Sequence, residues 1–242
     1  MAELEVAKST KKIITTAKSK EEPFWGKFKK ISLEILIIMF AVSLSIGLHS
    51  LSEARHEQHE VKVFLTGLRK DLKKDREEMS DDINGYETQR RAFQYLSKLE
   101  KGQSANPDSM KVYAQDLTTF TGFMGNRGRY EGFKSSGKIL FIEDDDLQNN
   151  ILDLYEESVP LLNQRTDFYK NEKLKLNDFI IEKTTDYPKG NLPQILGSDQ
   201  VKNRSNMYLA SVEHIIGNYR ECISKIDEII TGINRHYPEK AK

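Results

Sequence analysis

The sequence predicts an all-α chain: one N-terminal transmembrane helix continuing into an extracytoplasmic antiparallel bundle of long helices. Three observations carry that expectation. Residues 31–51 form one apolar run long enough to cross a bilayer. Long stretches after it repeat apolar residues at alternating spacings of four and three, the period of a helix face. No stretch of any length shows the every-second-residue alternation of a strand, and no internal repeat is visible.

The anchor reads ISLEILIIMFAVSLSIGLHSL. As a helix it spans about 31 Å, the thickness of a bilayer's hydrocarbon core. A signal peptide cleaved near Ser50-Leu51-Ser52 is the competing reading. Against it, the thirty residues before the run exceed a usual charged leader, and the helical pattern continues past Leu51. The fifteen residues before the run hold Lys18, Lys20, Lys27, Lys29 and Lys30, whereas the fifteen after it hold only Arg55 and Lys62. Basic residues stay cytoplasmic, so the N-terminus is expected inside and the rest outside. Phe24, Trp25 and Phe28 fall where an interfacial aromatic belt belongs. The expected division is a Lys-rich cytoplasmic tail over 1–30, the transmembrane helix over 31–51, and the extracytoplasmic helical domain over 52–242.

Two features of the span go beyond anchoring. Ala41 and Ser45, and Ser43 and Gly47, are small residues four apart, which lets a second helix approach closely. Small residues are also simply common in spans. Glu34 lies one turn inside the cytoplasmic edge, where a carboxylate is either functional or reaches back to the headgroup lysines.

The outer domain divides into helices in order. From Glu53 to Lys101 there is no proline, and Val61, Leu65, Leu68, Leu72, Met79, Tyr86, Phe93 and Leu96 form a heptad-like stripe. Asp75, Asp82 and Gln89 complete its spacing, which weakens it as a coiled-coil seam. GQSANPDS, 102–109, is a loop, with Pro107 and Ser109 marking a short helix over about 109–121. A Gly-rich stretch follows as turn and short helix. Asp144, Asp145 and Asp146 open a helix over about 144–183, where acids complement the helix dipole. Its stripe runs through Leu147, Ile151, Leu154, Leu161, Phe168, Leu176 and Phe179, with a kink expected at Pro160. After a connection over 184–198, the last helix, about 199–236, alternates fours and threes without a miss. Tyr208, Val212, Ile215, Tyr219, Cys222, Ile226, Ile229 and Ile233 form its stripe, and Ile216, Ile223 and Ile230 widen it. A face that broad suits a multi-helix bundle. Cys222, the only cysteine, falls on that stripe as a buried thiol and excludes an internal disulfide.

Three motifs suggest chemistry. Gly132 to Lys138 matches GxxxxGK, but a phosphate loop needs Ser or Thr next, and this chain has Ile139. A helix ending at Lys134 to Ser136, capped by Gly137, accounts for the same residues. Glu143 to Asp146 lacks the alternating ligands and central glycine of a calcium loop. His56 and His59 are weak zinc candidates beside Glu53, Glu57 and Glu60, although HEQH is not HExxH. His214 and His236 look isolated.

Lys plus Arg balance Asp plus Glu at 37 each, so nothing points to nucleic acid. The expected partners are the lipid bilayer and further copies or other membrane subunits; no nucleic acid, nucleotide or cofactor is expected. No catalytic constellation is recognisable.

Residues Glu34 to Ala41 through His49 to Glu53 resemble the anchor of an uncharacterised family of single-span proteins of Bacteroidota. That anchor opens on EI and closes on an NNWNE-like segment. FKSSGKILFI, 133–142, followed by an acidic turn and a helix with Tyr155, is similar to that family's LKSSGKL segment. This chain departs from it with Leu51 in place of Trp and His49-Ser50 in place of two Asn. The resemblance implies a single span and a bacterial envelope address, and implies no activity. The resulting expectation is a non-enzymatic interaction or scaffold subunit at the inner membrane, with a periplasmic C-terminal domain. A ligand or stress sensor signalling through a partner is the alternative.

Overall fold

A computed structural model describes residues 8, 10, 11, 13–15 and 24–239. Lys18 and Lys20, and the side chains of Phe24 and Lys27, lie outside the described part. The described residues are helical, with no strand among them. The chain divides into two compact units, Met1–Glu60 and Val61–Lys242. Helix α1, Phe24–Ser97, contributes to both.

In the first unit α1 carries the apolar run. An 18-residue window of it is long and apolar enough to cross a membrane, and none of that window is buried within the chain. Leu33, Leu36, Met39, Phe40, Leu44, Ile46 and Leu48 are all exposed, as are Trp25 and Phe28. Side chains this apolar, facing outward all round a helix, suit hydrocarbon and not water.

In the second unit the stripe of α1 faces a core. Val61, Leu65, Leu68, Leu72, Met79, Tyr86, Phe93 and Leu96 are all buried. After α1 come α2 (Pro107–Thr118), α3 (Gly128–Ser135), a 3-10 turn (Lys138–Phe141) and α4 (Asp145–Asp153). A π-helical turn (Leu154–Ser158) leads into α5 (Val159–Lys183), and the short α6 (Leu192–Leu196) precedes α7 (Asp199–His236). Cross-helix bonds set the directions. Arg69 donates to Asn234, Arg76 to Asp227 and Arg90 to Glu213, so α7 descends as α1 rises. Arg165 donates to Asn218 and Tyr208 to the Glu172 carbonyl, so α7 is antiparallel to α5 as well. It follows that α1 and α5 run parallel, joined by the crossover that holds α2 to α4.

Several expected boundaries move by a few residues. α1 ends at Ser97, short of Lys101. The cap of α2 is Asn106, whose side chain accepts from the amides of Asp108 and Ser109; Pro107 sits at the first turn, where its missing N–H costs nothing. α2 stops at Thr118 because Thr119 is already extended. Gly137, at φ 75°, makes the left-handed stop after α3 that only glycine takes without strain. The GxxxxGK residues therefore form a helix end and a 3-10 turn, preceded by a helix and not by a strand. Asp144 caps α4 through the Leu147 amide.

The largest correction concerns the 144–183 stripe. Leu161 and Phe168 are exposed, while Leu162 and Tyr169 are buried in their place. The cause is the π turn, in which the Val159 amide donates five residues back to Leu154. One extra residue per turn advances every later side chain by about a quarter turn. Pro160 sits just beyond it and has no N–H to donate to Glu156, so the helix opens there as a π turn. From that point the buried face reads Leu162, Thr166, Tyr169, Lys173, Leu176 and Ile180.

Candidate functional site: a buried lysine in a tyrosine-rich core

The shifted register places Lys173 at the centre of the second unit, with none of its surface exposed. Its Nζ donates to Gln89 Oε1 (2.7 Å), to the Asp116 carbonyl (2.7 Å) and to the Thr119 carbonyl (2.5 Å). Three hydrogens meet three acceptors, the complement of a charged ammonium. Rings of Phe120, Tyr169 and Phe93 lie 5.3 to 6.0 Å from the same nitrogen. Two of the acceptors are carbonyls at the end of α2, where a helix carries partial negative charge. Lys173 thus fastens the end of α2 between α1 and α5. Burial pushes its ammonium down to about 7, against an upward pull from the Asp116 carboxylate. A lysine at that value has the chemistry of a nucleophile or base. Here all three of its hydrogens are engaged and the nitrogen is sealed from solvent, so its role is that of a fastener.

Around it four tyrosines share one arrangement: each ring packs in the core while its hydroxyl reaches a polar group. Tyr86 donates to the Thr121 carbonyl, Tyr169 to Gln89, Tyr208 to the Glu172 carbonyl and Tyr219 to Asp82, all within 2.6 to 2.9 Å. The buried Tyr155 hydroxyl, by contrast, has no partner among the described residues. Ring centroids of Tyr86, Tyr169, Tyr208 and Tyr219 lie 5.8 Å from their neighbours in the set. Burial raises the Tyr169 and Tyr219 hydroxyls well above the usual range, so they stay neutral donors.

Asp75, Asp82 and Gln89, the polar interruptions in the α1 stripe, prove to be its cross-links. Asp75 accepts from the backbone amide and the side chain of Asn126, which pins the 119–127 loop to α1. Asp82 reaches α7 through Tyr219, and Gln89 reaches α5 through Tyr169 and Lys173. Burial raises the carboxyls of Asp75 and Asp82, partly offset by these hydrogen bonds.

The sequence-predicted residues fall elsewhere. Glu34 is half-buried on α1, with Ala41, Ser43, Ser45 and Gly47 further along the same helix. Beyond the adjoining backbone of α1, nothing among the described residues lies within 4 Å of a Cβ placed on Gly47. His56 and His59 are exposed; His56 Nε2 is 3.7 Å from Glu60. Among the described residues no three His, Cys, Asp or Glu side chains gather as a metal site. His236 is not isolated: its Nε2 lies 2.7 Å from Asp144 Oδ2, joining the end of α7 to the cap of α4. Cys222 is buried, and burial pushes its thiol up to about 11, which keeps it protonated and unreactive.

A second feature is a small open pocket of about 80 Å³ between α2, the last turns of α5 and α6. Met110, Leu117, Ile180, Leu192 and Leu196 form its buried wall, and Ile181 and Tyr187 stand exposed at its rim. Asn177 is also on the wall; its Oδ1 is buried and has no hydrogen-bond partner among the described residues.

Neither Lys173 nor the pocket was predicted from sequence. The signal for Lys173 was present as a second, polar-containing stripe at 162, 166, 169, 173, 176 and 180, outscored by the more apolar one beside it. No family model, no curated protein and no solved structure matches this chain.

Proposed function

We propose that this chain is a membrane-anchored, non-enzymatic interaction or scaffold subunit of the bacterial cell envelope. Its first unit crosses the inner membrane once, with the N-terminus cytoplasmic and the helical bundle periplasmic. The observation that carries this reading is the α1 window that is apolar on all sides and buried by nothing in its own chain. The lysine asymmetry across residues 31–51 supports the orientation. Ala41, Ser43, Ser45 and Gly47 support self-association or a partner helix within the bilayer. The resemblance to single-span envelope proteins of Bacteroidota agrees with the address. In the bundle, Lys173, Gln89, Tyr169, Tyr219 and Asp82 are spent on one another and on the end of α2, an arrangement that supports a rigid docking body.

A second reading, a ligand or stress sensor that signals through a partner, is favoured by the apolar pocket with its unpaired Asn177. Two experiments test these readings. Alkaline phosphatase and a fluorescent protein, fused in parallel to the C-terminus, should give phosphatase activity and no fluorescence; fluorescence alone overturns the topology. Purification in mild detergent, followed by mass spectrometry, should recover a stable complex with itself or another membrane subunit. A monodisperse single chain carrying a small molecule favours the sensor.

A further inference from the structure

We propose that the 3-10 turn Lys138–Phe141 is a second membrane contact, in which the Leu140 side chain enters the lipid surface beside the chain's own anchor. The inference rests on the reading of residues 31–51 as a membrane span. It commits this end of the second unit to one partner, a phospholipid surface.

The fold of the second unit fixes where the turn stands. Asn126 bonds to Asp75, Arg129 to Asp71, and the ring of Phe133 stacks on that of Phe64 with centroids 3.9 Å apart. Each step along α3 is thus a step back along α1 toward Val61. α4 runs the other way: its cap Asp144 meets His236 at the last turn of α7, and its last residue Asp153 meets Lys225. The 3-10 turn is the bend between the two helices, so it lies at the end of the unit where α1 enters. Lys62 over the Tyr237 ring, at 6.0 Å, marks the same end.

The chain leading to that end is short. Nine residues, 52–60, separate Leu51 from Val61. Fully extended they reach no more than about 35 Å, and as helix about 15 Å. Whatever direction α1 takes, the end of the unit is tethered within that distance of the span. A short tether raises the effective concentration of lipid at the turn, so a contact too weak to recruit a free protein still forms.

The turn presents one apolar side chain. Leu140 is 75% exposed, more than any other leucine, isoleucine or valine among the described residues of the second unit. Its neighbours Ile139 and Ile142 are buried, and the Ile142 amide and the Gln148 side chain both donate to the Ile139 carbonyl. The backbone is held from below, and Leu140 is left outside. A single exposed leucine on a free surface needs no explanation. At a tethered end it has hydrocarbon within reach, which removes its apolar surface from water. The charges around the turn balance, Lys134 and Lys138 against Glu143 and Asp145, so the contact is apolar and does not call for anionic lipid.

Tryptophan emission in nanodiscs of brominated phosphatidylcholine makes the test, because bromine quenches rings that touch the acyl chains. Trp25, the chain's only tryptophan, is first cleared by Trp25→Phe. The full chain then receives one tryptophan at a time, at Phe40, Leu140 or Met124, all exposed positions where a larger ring leaves the core alone. Phe40→Trp reports the anchor and should be quenched. Leu140→Trp should lose most of its emission relative to nanodiscs without bromine. Met124→Trp should keep its emission: Met124 is 87% exposed, and its amide is held by Glu78, roughly 25 Å farther along α1. If Phe40→Trp is quenched and Leu140→Trp is not, the proposal is overturned and the anchor stands. Equal quenching of Leu140→Trp and Met124→Trp also overturns it, because the turn then has no preference for lipid. If Phe40→Trp itself escapes quenching, the membrane reading falls and this inference falls with it.

Discussion

Between Leu33 and Leu51, α1 is apolar on every side, and Phe40, Ile46 and Leu48 are each more than 60% exposed. Between Val61 and Leu96 the same helix is apolar on one stripe only, and that stripe is buried throughout. If the first stretch crosses a bilayer, as proposed above, the contrast is that of one unbroken helix written for two solvents. Where lipid is the solvent, there is no driving force to hide apolar side chains, and all-round apolarity is the stable pattern. Where water is the solvent, the apolar residues must share a face. The stretch between, Ser52 to Glu60, holds His56, Glu57, His59 and Glu60 and is apolar on neither plan.

The sharpest way to break this comparison is to make the same truncation in both stretches. Phe93→Ala removes a ring with no exposed surface, in edge-to-face contact with Tyr208, and should cost about 3–5 kcal/mol. Phe40→Ala removes a ring that touches nothing in the chain's core and should leave the unfolding midpoint within about 0.5 kcal/mol. Urea unfolding of the full chain in detergent, followed by near-ultraviolet circular dichroism, reads both. Equal shifts would mean that the Phe40 stretch packs as a core helix.

Ile226→Ala applies the same logic to α7. The side chain is buried mid-stripe and should cost about 2–5 kcal/mol, a large share of an ordinary domain's stability. Glu221→Ala, exposed on the same helix, should cost less than about 0.5 kcal/mol. Lys225, next to Ile226, is a poor control because it is only half exposed and lies 3.3 Å from Asp153. If Ile226→Ala and Glu221→Ala unfold together, the α7 stripe is a free surface awaiting a partner.

α7 was legible from sequence because nothing interrupts it: the start at 199, the 4,3 spacing and the end at His236 all agree with the structure. α5 was not. Its periodicity is intact, but a π turn changes the phase between Asp153 and Val159, and the phase decides which residues are inside. Apolarity then favoured Leu161 and Phe168 over a true inner face that contains Thr166 and Lys173. On α1 the stripe was legible and the meaning of its polar members was not. Asp75, Asp82 and Gln89 are liabilities in isolation and cross-links once Asn126, Tyr219 and Lys173 arrive from 51 or more positions away. The pocket draws on three segments whose proximity no local pattern encodes.

The buried lysine sharpens the comparison between apolar and polar members of the stripe. Lys173 holds its proton less tightly in the fold, at about 7, than in an unfolded chain, at the ordinary 10.5. Between those values the unfolded state binds more protons, so this group's contribution to stability rises with pH. Its cost is fully present below about 7 and is relieved as pH climbs. The urea midpoint should therefore increase from pH 7 to pH 9, and Lys173→Met should remove that increase. An identical rise in the variant would assign the effect to other groups and leave Lys173 charged across the range.

The smallest effect expected is at Asp144, on the surface, where capping and charge can be separated. Its carboxylate accepts from the Leu147 amide and faces His236, and the hydrogen bonds with His236 and Leu147 hold its pKa below the ordinary 3.8. A carboxyl lowered in the fold contributes stability that is present above 3.8 and is lost as pH falls through the folded value. Asp144→Ala removes both partners and should cost about 1 kcal/mol at pH 7, the usual worth of an N-cap. Asp144→Asn keeps a side-chain oxygen for the Leu147 amide and gives up only the negative charge, so its cost should be under about 0.5 kcal/mol. Midpoints at pH 7 and pH 3 tell the two apart. The unaltered chain should lose its advantage over Asp144→Asn on going to pH 3, whereas the gap between Asp144→Asn and Asp144→Ala should persist. A variant pair that behaves alike at both values would show that the cap contributes nothing at this end of α4 and that the contact with His236 alone holds it.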